Sequence, residues 1–291
     1  MKINIKNISN DFVNYYEQSK EKNFDEKSKL WNLLYEKKNK DIFDAYLKLM
    51  RIFDKEYRLE NRYEHAFNRY NNDYENIKKF SENIDKYIIE TCDKCNELFN
   101  LKNEKLELNF VLLVGLYMVD GWVTEFNNKT TAFFAIEYMK NEDAIKIFLA
   151  HEITHNIHNN LIEFGKITLA ERLFIEGIAV AASEELCNIK DKGFCIYHNT
   201  ENANEIVEKC ELQWSNVKLD IIDNLDNKSD EYTSKYFAGD TGNENLPKRA
   251  GYAYGYNIVK KLLKTNSFQE LLRWNKEKVI CEVKKCIITL K

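Results

Sequence analysis

The chain has 291 residues, long enough to bury a full hydrophobic core, and its 44% hydrophobic and 31% charged residues exclude the disordered and membrane-embedded classes. Its 43 basic and 47 acidic residues are thoroughly mixed and leave a formal charge of −4, so neither nucleic acid nor an anionic membrane is indicated as a partner. No apolar run approaches the roughly 18 residues of a membrane span; the longest, FVLLVGLYMV at 110–119, suits a buried strand pair.

MKINIKNISNDF opens the chain without the apolar core of a secretory signal, so a cytoplasmic protein is expected. Its seven cysteines, an odd number, then read as reduced thiols rather than a disulfide framework. Ile3 and Ile5 alternate with polar neighbours and predict a short strand. From Asp11 to about Leu101 apolar residues such as Trp31, Leu34, Phe43 and Tyr46 recur at helical spacing, with Lys and Glu on the other faces. Cys92 and Cys95 form a CxxC inside this helical pattern. A structural zinc there would need two further ligands, and Cys281 with Cys286 is a loose match, so packed helix-face thiols are expected.

From Leu106 the character changes. LELNFVLLVGL, GWVTEF and TTAFFAIEYM are short, rich in Val, Phe and Thr, and separated by Gly or Asn turns, which predicts a small sheet. DAIKIFLAHEITHNIH, TLAERLFIEGIAVAASEEL, NEIVEKCELQWSNVKLDIIDNL and AGYAYGYNIVKKLL return to helical periodicity. With one proline and nine glycines to break them, helices should dominate. The expected fold is α+β, mostly helical, with the small sheet packed on the HEITH helix. An N-terminal strand and charged helices (1–105) would pack on a zinc-binding catalytic region (106–291) as one compact unit.

HEITH carries the chemistry. His151 and His155, four apart on a helix, stand on one face with about 6 Å of rise between them and can converge on one ion. Glu152, beside the first histidine, reaches a metal-bound water rather than the metal, which gives two ligands and a general base from one rigid element. A catalytic zinc needs a third protein ligand. His158 lies too far along the same helix, and Leu161 stands where the metzincin pattern requires histidine. Glu176, in LFIEGIAVAAS on the next helix, sits in an almost wholly apolar stretch, where an unpaired carboxylate is costly and a metal relieves the cost. Its neighbour Glu171 is read as an ordinary helix-surface acid.

HEITH followed by EGIA resembles the gluzincin metallopeptidases, the group of thermolysin and aminopeptidase N, which take the third zinc ligand from a glutamate on a second helix. The fuller resemblance is to a family of bacterial predicted zinc-dependent proteases, catalogued as a domain of unknown function, with LW-containing N-terminal helices, an AHExxH helix, an EGxA helix and a late GYxxGY. The resemblance implies zinc ligation by His151, His155 and Glu176, with Glu152 as base. Two features depart from the better-known relatives. Thermolysin-like enzymes carry an acid four residues after the ligand glutamate, where this chain has Val180. Of the aminopeptidase segment that holds the substrate amine there is only FAIEY, at 134–138.

The expected activity is zinc-dependent hydrolysis of peptide bonds by a metal-activated water, on a peptide or protein substrate. Tyr252 and Tyr256, four apart and backed by Gly251 and Gly255, are expected to face a common cleft and supply the oxyanion donor. Substrate is expected to pair with an exposed edge strand, TTAFFAIEYM. The alternative is a non-catalytic helical interaction protein with structural or no zinc; hydrolysis of a non-peptide amide or ester is a third reading. His65 and His198 receive no role.

Overall fold

A chain so poor in helix breakers folds as expected into an α+β, mostly helical protein with one four-stranded mixed sheet. The structure, a computed structural model, describes residues 1–162, 165–198, 200–237 and 246–290. It divides into two compact units, Met1–Ile89 with Glu107–Glu142, and Glu90–Leu106 with Asp143–Lys291.

The first unit holds the sheet: β1 (Lys2–Asn7), β2 (Glu107–Leu113), β3 (Gly121–Phe126) and β4 (Lys129–Ala135), in the order β1-β2-β4-β3. β1 and β4 run parallel to β2, whereas β3 and β4 form an antiparallel hairpin. Its two-residue turn is Asn127 and Asn128, with φ of 51° and 60°, the left-handed pair that asparagine tolerates and a tight hairpin requires. The edge-strand expectation is overturned here. Phe133 of β4 pairs with Val111 on one side and Trp122 on the other, so β4 has no open edge. Strand order is set by long-range parallel crossovers, which local alternation does not reveal.

The apolar run at 110–119 is not a strand pair either. β2 ends at Leu113, and Val114–Tyr117 turns away, with Tyr117 at φ 54°. Side chains satisfy this buried turn. The Tyr35 hydroxyl accepts from Val114 N–H at 2.7 Å and donates to its carbonyl at 3.0 Å, and the Tyr70 hydroxyl donates to the Gly115 carbonyl. Glu137, the acid of FAIEY, accepts from Gly115 N–H at 2.8 Å and Tyr117 N–H at 3.2 Å; burial pushes its carboxyl up to about 7.

Helices α1 (Ser9–Ser19), α2 (Phe24–Trp31), α3 (Lys40–Phe53) and the first three-quarters of α4 (Tyr63–Leu98) complete this unit. Their apolar faces and Tyr35, on the helical turn Asn32–Glu36 between α2 and α3, meet in an aromatic core, with Phe12 and Tyr70 ring centres 4.7 Å apart and Trp31 and Tyr35 4.8 Å apart.

The second unit contains the end of α4 and α5 (Glu142–Leu161), α6 (Leu169–Cys187), α7 (Lys192–Tyr197), α8 (Ala203–Asp223), α9 (Asp230–Phe237), α10 (Ala250–Leu262), α11 (Phe268–Leu271) and α12 (Lys276–Thr289). Cys92 and Cys95 are buried on α4 as packed thiols. α12, not foreseen, buries Val279, Val283, Cys286 and Ile287 at helical spacing and leaves Cys281 exposed. Among the described residues no helix is long and apolar enough to cross a membrane.

Candidate metal centre

α6 positions the site because it starts firmly and is buried on nearly every side. Thr168 caps it: the hydroxyl accepts from Glu171 N–H at 3.2 Å, and Glu171 Oε2 accepts from Thr168 N–H at 2.8 Å. This corrects the reading of Glu171 as a surface acid. It is fully buried, closes the capping box and takes Lys276 Nζ at 3.2 Å. From Leu173 to Ser183 every residue of α6 is buried, including Glu176.

α5 brings its two histidines to the same point. The Nε2 atoms of His151 and His155 are 3.0 Å apart, and Glu176 Oε2 lies 3.3 Å from the first and 3.2 Å from the second. Three donors thus form a nearly equilateral triangle. A tetrahedral zinc with bonds of about 2.0–2.1 Å would set its ligands about 3.3 Å apart, so the residues fit the ion. Hydrogen bonding alone fits less well, because two imidazole N–H groups both aimed at one oxygen would sit against each other. Among the described residues this is the one group of three or more His, Cys, Asp or Glu donors close enough to share a metal.

The electrostatics also favour a cation. Burial opposes charge on His155, but Glu176 and behind it Glu152 outweigh it and raise the affinity of the ring for a proton. Burial would likewise raise the Glu176 carboxyl; Arg172, His155 and His151 instead hold it well below the usual range. The imidazoles retain 13% and 14% exposure whereas Glu176 retains 4%, so the histidines are the less buried side of the triangle. Glu152 is half-buried.

Other expected residues fall outside the triangle or beside it. His158 is buried, its ring 6.3 Å from that of Phe174, and burial drives it down to about 3, so it is neutral. Tyr252 lies beside the triangle, with its ring 6.3 Å from that of His151. Burial pushes its hydroxyl up to about 12, which keeps it a proton-bearing donor. Tyr256 is engaged with another acid: its hydroxyl donates to Glu184 Oε1 at 2.9 Å, and Lys260 holds the other oxygen of Glu184 at 2.7 Å. Tyr254 packs on Trp214 at 5.2 Å. His198, at the end of α7, has its ring 6.0 Å from Phe148 and is held down to about 3 by burial and by the charges of His151 and Arg249.

One residue was missed. Arg172 Nη2 lies 2.8 Å from Glu176 Oε1, one helical turn before it. The sequence reading assigns it no role. The local cue is its place one helical turn before Glu176, the spacing at which an arginine can meet a carboxylate.

A helix carrying HExxH, joined by a glutamate from the helix that follows, has the donor set of a zinc-metallopeptidase centre. The wider comparison agrees. The chain belongs to the family described as Predicted Zn-dependent protease (DUF2268), whose model matches residues 126–281, a span that takes in α5, α6 and α10. No curated protein and no solved structure matches it.

Proposed function

We propose that the protein is a zinc metallopeptidase that hydrolyses peptide bonds, with His151, His155 and Glu176 as zinc ligands and Glu152 as general base. The observation that carries this reading is the donor triangle, with sides of 3.0, 3.2 and 3.3 Å.

A zinc held there supplies a Lewis acid for the scissile carbonyl and acidifies water at its fourth position. The protein's own groups do the rest. Glu152, next to His151 on a rigid helix, takes a proton from the attacking water and returns it to the leaving amine. Tyr252 remains protonated and is the better placed of the two tyrosines to donate to the developing oxyanion. Tyr256 serves the fold through Glu184.

Zinc analysis of the purified chain, followed by mass spectrometry of a digested library of unstructured peptides, tests this. One zinc per chain and cleaved peptide bonds are expected. A zinc-loaded chain that leaves every peptide intact overturns the peptidase reading, and cleavage of esters alone would move it to the non-peptide class.

A further inference from the structure

Glu176 uses its two oxygens differently. Oε2 faces the two imidazoles, whereas Oε1 meets Arg172 Nη2 at 2.8 Å. On an open helix an i, i+4 pair contributes little. Here the carboxylate is 4% exposed and the arginine side chain 41%, so the guanidinium runs from the solvent face to a buried oxygen that would otherwise lack a donor. Its Cζ lies 5.4 Å from the centre of the Phe237 ring, which gives the planar group an aromatic neighbour.

We infer that Arg172 is a positioning residue that occupies Oε1 of Glu176, so that the carboxylate presents only Oε2 to the metal. A carboxylate free to rotate could bind through both oxygens and fill the position that the substrate needs. Arginine suits the task because its planar guanidinium can hold a carboxylate oxygen while lying near an aromatic ring, which a lysine ammonium does not reproduce. The inference rests on the zinc-centre reading above.

Charge and position predict opposite results, which makes the role testable. The guanidinium repels a dication, so a purely electrostatic effect would make zinc bind more tightly once Arg172 is removed. Positioning predicts weaker binding. Zinc affinity is measured on the full-length chain by competition with a chromophoric chelator, for wild type, Arg172→Met and Arg172→Lys, with zinc X-ray absorption reporting the coordination number. Arg172→Met should bind zinc about 10- to 100-fold more weakly and gain about one oxygen at the metal as Glu176 turns bidentate; Arg172→Lys should fall between it and wild type. A folded Arg172→Met with equal or tighter binding and unchanged coordination overturns the inference. Should the methionine variant not fold, a folded Arg172→Lys with wild-type affinity and coordination overturns it equally. A wild-type chain that binds no zinc instead removes the parent reading.

Discussion

Gly177 of α6 faces Gly255 of α10 so closely that a Cβ on Gly177 would stand 2.2 Å from the Gly255 carbonyl oxygen, and a Cβ on Gly255 would stand 2.3 Å from that of Leu173. Both obstacles are backbone, so no side chain can rotate away. Gly177 directly follows Glu176, and Gly255 lies three residues after Tyr252; this contact therefore sets the distance between the third metal donor and the tyrosine. Gly255→Ala should destabilise the protein by about 3 kcal/mol and weaken zinc binding as well. Denaturant unfolding and a zinc titration check it, and a stable variant with wild-type affinity would show that the two helices tolerate separation.

The two tyrosines should separate in kinetics. Tyr252→Phe is expected to lower kcat by about 10²-fold, in the range of a lost oxyanion donor, with KM little changed. Tyr256→Phe removes its hydrogen bond to Glu184 and should cost about 1 kcal/mol of stability with near-normal turnover. Reversal of the two outcomes would transfer the donor role to Tyr256.

Glu137 gives a pH signature in the first unit. Its folded pKa of about 7 lies above the ordinary value of 4.5, so between these two pH values the native state holds a proton that the unfolded chain has released. Its contribution is fully present below about 4.5 and disappears as pH rises through 7, by up to about 3 kcal/mol. Unfolding of wild type and Glu137→Gln at several pH values isolates the effect, since other titrations cancel in the difference. A difference that stays constant from pH 4.5 to 8 contradicts this assignment.

Metal should be linked to stability. Zinc at a hundred times its Kd is expected to raise the unfolding free energy by about 2.7 kcal/mol, and His155→Ala should abolish the increment. Thermal unfolding with zinc and with chelator reads this directly; an equal increment in the variant would locate the ion elsewhere.

How far the sequence could be read depended on how local each feature is. The HEITH pair was legible because helical geometry alone brings positions 151 and 155 together, and Glu176 stood out as an acid in an apolar helix. Glu171 was misjudged. Its TLAE capping box is visible in sequence, but its burial depends on packing around α6 and on Lys276, over a hundred residues away. Arg172 has only its spacing to Glu176 as a local mark, because its role depends on the burial of Glu176, which the fold brings about. The interior place of β4 and the diversion of Tyr256 to Glu184 likewise depend on tertiary neighbours that no periodicity encodes.

The central claim is that Glu152 moves the proton in a zinc-dependent peptide hydrolysis. Wild type and Glu152→Gln, loaded with zinc side by side, give the most direct test through metal content and peptide cleavage. One zinc per chain is expected in both, with a loss of cleavage of at least about 10²-fold in the variant. A zinc-bound Glu152→Gln chain that cleaves at the wild-type rate would contradict it.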